Sequence, residues 1–264
     1  MGIGEAAILG IVQGLTEFLP VSSSGHLAIL KHLFGARTGD DVLSFVVAVH
    51  FASLAAIVTV LWRDLVRAFS SEGRLSLLLA VGTVPLLVLG YFLAGPTDAL
   101  FGWLPAPAIA LIGTGAFLMV ADRLANEVTE LKRADWWDAA IIGLAQVVAM
   151  VPGLSRSGLT IAAGLVCGLR RPDAVRFSFL LAVPAILAAT AYTMYEAWGQ
   201  YRAGHALSLE VRPGVIGMVT SYVFSVLAIQ VMLKRVGRSR LSYFAWYCWA
   251  VSIATLVVWF FRMR

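Results

Sequence analysis

The sequence has 264 residues, of which 60% are hydrophobic and only 13% charged, and its mean hydropathy is +0.86. A soluble domain carries about 25% charged residues, so a water-soluble core is excluded, and with two cysteines and no low-complexity tract so are a disulfide scaffold and a disordered chain. The net charge of +5 is assigned to cytoplasmic loops of a membrane protein, where Lys and Arg accumulate, and not to nucleic-acid binding.

Taken in chain order, the apolar pieces fall into two kinds. Residues 3–18 and 21–34 are short. Stretches 43–62, 75–97 and 99–121 are charge-free and long enough to cross a bilayer; 136–151 and 157–170 are again short; 177–195, 213–233 and 241–261 are long. A span needs about 20 residues to cover the roughly 30 Å hydrocarbon core, whereas the short pieces reach only about 21 to 24 Å at 1.5 Å per residue. Each short pair is broken by a Pro/Ser/Gly knot, Pro20-Val21-Ser22-Ser23-Ser24-Gly25 in one and Pro152-Gly153-Leu154-Ser155-Arg156-Ser157-Gly158 in the other. Such knots favour chain reversal over a continuous helix. The expectation is an all-α integral membrane protein with six transmembrane helices and two re-entrant helical hairpins, at 3–34 and 136–170. The first stretch has no basic leader and carries Glu5 and Glu17, so no cleavable signal is read. Cys167 and Cys248 lie in apolar segments without metal-type spacing.

The hairpins resemble each other in sequence. At an offset of 133, Ala6-Ala7-Ile8-x-Gly10-x-x-Gln13 matches Ala139-Ala140-Ile141-x-Gly143-x-x-Gln146, and Ser22-x-Ser24-Gly25 matches Ser155-x-Ser157-Gly158. One residue further on, Ser44-Phe45-x-x-Ala48-Val49 matches Ser178-Phe179-x-x-Ala182-Val183. Two repeats follow, 1–132 and 133–264, each with a hairpin and three spans, together one membrane domain. An odd number of crossings makes the topology inverted. Loops near 63–74, 122–135, 170–176 and 234–240 hold thirteen of the twenty Lys/Arg; the other side holds Lys31, Arg37, Arg202, Arg212, Arg262 and Arg264. The thirteen-charge side is therefore expected in the cytoplasm.

Ionisable groups at membrane depth are costly and point to function. They reduce to Glu17, His26 and Arg156 at the hairpin tips, with Glu5 near an end and His50 read as a packing histidine. Both second limbs start after Ser/Gly runs, and helix starts attract anions. Arg156, whose planar fork suits phosphate, joins Ser22, Ser23, Ser24, Ser155 and Ser157 in an expected polyanion pocket. Glu17 and His26 add a base or nucleophile that anion binding alone does not need. A divalent cation, Mg²⁺ or Ca²⁺, held by Glu17 with the Gln13 amide oxygen one turn away, would relieve repulsion between carboxylate and phosphate.

The segments Gln13-Gly14-Leu15-Thr16-Glu17-Phe18-Leu19-Pro20-Val21-Ser22-Ser23-Ser24-Gly25-His26 and Pro152-Gly153-Leu154-Ser155-Arg156-Ser157-Gly158-Leu159-Thr160 closely resemble the bacterial undecaprenyl-diphosphate phosphatases, also called bacitracin-resistance proteins. The first matches the family's (Glu/Gln)-x-x-x-Glu motif, with Gln13 at the variable position, and the second its Pro-Gly-x-Ser-Arg-Ser-x-x-Thr motif. The resemblance implies hydrolysis of undecaprenyl diphosphate to undecaprenyl phosphate and inorganic phosphate, recycling the carrier for peptidoglycan, in the bacterial cytoplasmic membrane with the site open to the outer face. It implies that Glu17 is the essential carboxylate and that Arg156 clamps the diphosphate. It makes His26 the general acid/base or the nucleophile, with Ser23 the rival nucleophile, and lines the pocket with Ser155, Ser157, Gly158 and Thr160. Two other readings share these residues: a transporter or scramblase of polyprenyl phosphates, and a structural or channel protein in which Glu17 and Arg156 only pair. The lipid diphosphate and the bilayer are the expected partners, a homodimer is the assembly considered, and nucleic acid is not a partner.

Overall fold

The computed structural model describes residues 1–34, 40–69, 73–202, 211–234 and 240–262. Arg37, Arg235, Arg238 and Arg264, counted above in the charge balance, lie outside them. The described residues form ten α-helices and one 3₁₀ turn: α1 (Ile3–Phe18), α2 (Ser23–Phe34), α3 (Asp40–Phe69), α4 (Arg74–Phe101), α5 (Pro105–Leu124), the turn Leu131–Arg133, α6 (Trp136–Val148), α7 (Arg156–Val166), α8 (Arg171–Arg202), α9 (Val211–Lys234) and α10 (Ser242–Arg262).

Six of them are long and apolar enough to cross a membrane, over Phe45–Ala68, Arg74–Thr97, Pro105–Leu124, Arg171–Tyr195, Val211–Lys234 and Ser242–Arg262. These are the six expected spans, with ends shifted by a few residues. α1, α2, α6 and α7 have 16, 12, 13 and 11 residues, so they reach only about 17 to 24 Å. Local chemistry sets their ends. Asp135 and Asp138 form a reciprocal capping box at the start of α6, Ser155 Oγ caps α7 by accepting from Gly158 N at 3.0 Å, and Pro105 opens α5 where its missing N–H costs nothing.

The outside of the bundle is apolar. Leu87, Val88, Tyr91 and Phe92 on α4, and Tyr243, Trp246, Ile253 and Phe261 on α10, are exposed. Such a surface, on helices long and apolar enough to cross a membrane, suits lipid contact. Inside, Phe18 of α1 meets Phe179 of α8 edge to face at 5.3 Å and 81°, among Ile57, Leu118, Ile161, Leu180 and Leu181.

Small residues set how closely the helices approach. α1 packs mainly on α9, and α6 on α4. A Cβ at Gly10 or Gly14 of α1 would collide with the backbone of α9 at Gly217 or Ser221, and one at Gly143 of α6 with Gly82 of α4. With no hydrophobic drive between helices in lipid, backbone approach and interhelical hydrogen bonds hold them. Ser53 of α3 accordingly meets Ser225 and Ser221 of α9 at 3.1 and 3.3 Å.

Candidate active site

Glu17 sits one residue before the end of α1 and is buried, 8% exposed. Three donors surround its carboxylate. Arg156 Nη2 pairs with Oε1, and Oε2 accepts from Ser23 Oγ at 2.6 Å and from Gln13 Nε2 at 3.0 Å. Gln13 reaches Glu17 because four residues span one helical turn. Ser23 reaches it because the chain reverses over Leu19–Ser22, where Ser22 takes a left-handed φ of +69°. Arg156 opens α7, which brings it to the same place from the second half of the chain.

Hydrogen bonds between the two connections fix this meeting. Ser157 Oγ donates to the carbonyl of Leu19 at 3.1 Å, and Ser24 Oγ accepts from Gly153 N at 3.3 Å. The backbones nearly touch, since a Cβ at Gly25 would lie 3.2 Å from Gly153 Cα. Gly153 itself has φ +97°, and a side chain there would strike the carbonyl of Pro107. Thr114 of α5 pins the second connection, donating to Gly153 O at 2.9 Å and accepting from Ser155 N at 3.0 Å.

A cavity of about 300 Å³ opens on this cluster. Glu17, Ser22, Ser23, Ser24, Ser155 and Arg156 stand on its wall. The remaining expected residues are placed differently. Gly158 is buried under the Ser155 cap, Ser157 ties the connections together, and Thr160 Oγ1 bonds Ser178 Oγ at 2.6 Å. His26 is half-buried and turned toward α10: its Nδ1 bonds Ser22 O at 2.8 Å and its Nε2 bonds the Tyr247 hydroxyl at 2.9 Å. Because a carbonyl only accepts, Nδ1 carries the proton and Nε2 accepts from Tyr247. The two rings stack at 5.6 Å and 5°. The serine–histidine contact that the spacing allowed is thus not formed with Ser23, whose hydroxyl is given to Glu17.

The guanidinium of Arg156 is divided. Nη2 serves Glu17, while Nη1 is buried without a partner among the described residues. As for a divalent ion, no group of three or more His, Cys, Asp or Glu gathers among the described residues. The donors at hand are the Glu17 carboxylate and Gln13 Oε1, which is buried and unpartnered. That set fits an ion such as Mg²⁺, which keeps water and phosphate ligands and takes one or two from protein, and does not fit an all-protein cage.

The model of the bacitracin resistance protein BacA family matches residues 6–254. The chain belongs to that family. Among its relatives, a protein named undecaprenyl-diphosphatase from Carboxydothermus hydrogenoformans is 36% identical over 256 residues, 96% of each chain. One of the same name from Thermodesulfovibrio yellowstonii is 33% identical over 98% of each, and another from Korarchaeum cryptofilum 38% identical over 97% of this chain and 99% of its own. In this member of the family, the cavity wall also includes Gln146 and His50. His50 is not simply a packing histidine on an apolar span: its Nδ1 bonds Val46 O at 2.8 Å while the ring borders the cavity. Sequence gives no sign of this for His50, because the face of α3 that meets α1 is set by packing. Gln146 carries a sequence signal, its repeat match to Gln13.

Proposed function

We propose that this membrane protein is a phosphatase that hydrolyses undecaprenyl diphosphate to undecaprenyl phosphate and inorganic phosphate, returning the lipid carrier to cell-wall synthesis. One observation carries the reading. Arg156 holds one oxygen of Glu17 through Nη2 and leaves Nη1 buried and unpaired among the described residues, while Ser23 donates to the other oxygen of Glu17. A buried cationic donor without an acceptor is costly, and a phosphoryl oxygen in the cavity completes it. Membership in a family with relatives named undecaprenyl-diphosphatase supports the substrate.

The chemistry assigned to these residues is covalent. Ser23 Oγ attacks the terminal phosphorus and the anhydride P–O bond breaks, so polyprenyl phosphate leaves. The serine proton passes to Glu17 Oε2, 2.6 Å away. Arg156 and the start of α7 neutralise charge on the transferring group. Water then attacks phosphorus, the P–Oγ bond breaks, Ser23 recovers its proton from Glu17, and phosphate departs with the protons of the water. His26 shapes the connection through Tyr247 and is assigned no proton transfer. Glu17 and Gln13 Oε1 would hold Mg²⁺ or Ca²⁺, which when bound would supply Lewis-acid neutralisation of the phosphate charge.

The finer architecture belongs to the same proposal: α1–α2 and α6–α7 are re-entrant hairpins, and the halves 1–132 and 133–264 are inverted repeats of one membrane domain. The reciprocal pairing of α1 with α9 and α6 with α4 supports this. So does the contact of Thr129, ahead of α6, with Gly168 and Arg170, just after α7, at 2.9 Å each, which puts the entry and exit of that pair at one level. The site opens to the outer face of the cytoplasmic membrane. Phe101, at the end of α4 away from the basic loops, lies on the cavity wall in support.

Phosphate release from a long-chain polyprenyl diphosphate by detergent-purified protein tests the function. Release by wild type and its loss in Arg156→Ala and Ser23→Ala, with fold intact, is the expected result. No release by folded wild type would overturn the reading.

A further inference from the structure

Buried polar atoms without partners concentrate at the cavity. Among the described residues there are five such side-chain atoms, and four belong to Gln13, Gln146 and Arg156. Gln146 is the extreme case. It is 1% exposed, stands on the cavity wall, and neither its Nε2 nor its Oε1 has a protein partner. A buried amide with both ends unmet is destabilising by the desolvation of each, so a side chain kept in that state is explained by a ligand.

The repeat shows why both ends of this glutamine are unmet while its counterpart has one end met. At the offset of 133, Gln13 corresponds to Gln146, Glu17 to Met150 and Ser23 to Arg156. Gln13 spends its Nε2 on Glu17. One turn beyond Gln146 stands Met150, which has no carboxylate to receive it, and Met150 too is on the cavity wall. The first copy therefore supplies the anionic base and the nucleophile. The second supplies the donors Arg156 Nη1 and Gln146 Nε2 and no anionic group.

We infer that Gln146 is a substrate-binding residue for the diphosphate, donating from Nε2 to a phosphoryl oxygen alongside Arg156 Nη1. Its Oε1 is left to accept from water entering with the ligand. The inference rests on the phosphatase reading for the identity of the substrate. The requirement for an oxyanion with several acceptors follows from the two donors alone.

The test compares full-length wild type with Gln146→Met, the residue of similar length that the neighbouring wall already uses, in detergent. Hydrogen bonds to charged groups are strong, so KM for the polyprenyl diphosphate is expected to rise about 10- to 100-fold. The melting temperature without ligand should hold or rise, because an unmet amide has been replaced by an apolar group. Inorganic pyrophosphate, titrated against the melting temperature, should stabilise wild type and lose at least about tenfold in affinity in the variant. A variant with wild-type KM and pyrophosphate affinity overturns the assignment, as does a fall in melting temperature with KM unchanged, which makes the amide a structural group met by water. If Gln146→Met does not fold, Gln146→Glu takes its place: a carboxylate there should repel the diphosphate at least as strongly, and unchanged KM overturns the assignment. A wild type that releases no phosphate sinks the phosphatase reading, and the pyrophosphate titration then decides Gln146 by itself.

Discussion

Glu17 at the end of α1 and Arg156 at the start of α7, 139 residues apart in sequence, form an ion pair whose side chains are 7% and 18% exposed. Each comes from a different half of the chain, so the pair closes the site only when both halves have packed. Removing one partner of such a pair strands the other and costs about 3–5 kcal/mol, whereas replacing both with apolar groups is often neutral. Arg156→Ala should therefore lower the melting temperature and abolish phosphate release, and Glu17→Leu combined with Arg156→Met should restore stability without activity. Thermal melts beside the release assay read both; a stable, inactive Arg156→Ala would argue that the pair contributes nothing to the fold.

Ser23→Ala should cut phosphate release by about 10³-fold or more, since it removes the attacking oxygen, while losing a single hydrogen bond to Glu17. Wild type quenched during turnover should carry an acid-stable phosphoserine at position 23. An acid-labile phospho-enzyme on His26 would reassign the nucleophile.

Tyr247→Phe removes the hydroxyl that holds His26 Nε2 and little else. The expected cost is about 0.5–1.5 kcal/mol of stability and less than a tenfold loss in kcat. A loss as large as that of Ser23→Ala would show that His26 and Tyr247 do chemistry.

Gly143→Leu should prevent correct packing of α6 on α4, because its Cβ would meet the Gly82 backbone and neither helix can retreat from the bundle. Gly4→Ala, in open space at the start of α1, should be neutral or stabilising by about 0.5–1 kcal/mol. Yield of monodisperse protein and melting temperature separate the two; equal behaviour would mean the α4–α6 approach is not tight.

EDTA should reduce phosphate release, and added Mg²⁺ or Ca²⁺ should restore it, because Glu17 and Gln13 Oε1 supply too few ligands to hold an ion once chelator competes. Release unaffected by chelator would leave Arg156 and Gln146 as the charge-neutralising groups and remove the cation from the proposal.

Composition and hydropathy by themselves determined the membrane class, the six spans and the four short helices, because a bilayer demands long uninterrupted apolar runs and Pro/Ser/Gly knots interrupt them. The charge distribution likewise pointed to Glu17, His26 and Arg156, whose ionisable groups are too costly at membrane depth to be incidental. Sequence spacing alone left Ser23 and His26 as rival nucleophiles, since both lie within a turn or so of each other. Tertiary structure decided between their surroundings: the reversal at Leu19–Ser22 delivers Ser23 to Glu17, and packing of α2 toward α10 delivers His26 to Tyr247. Nor could the chain order reveal that Gln146 ends up without a partner. An amide is satisfied or orphaned by what other helices bring to it, and those neighbours exist only once the two halves have closed on each other.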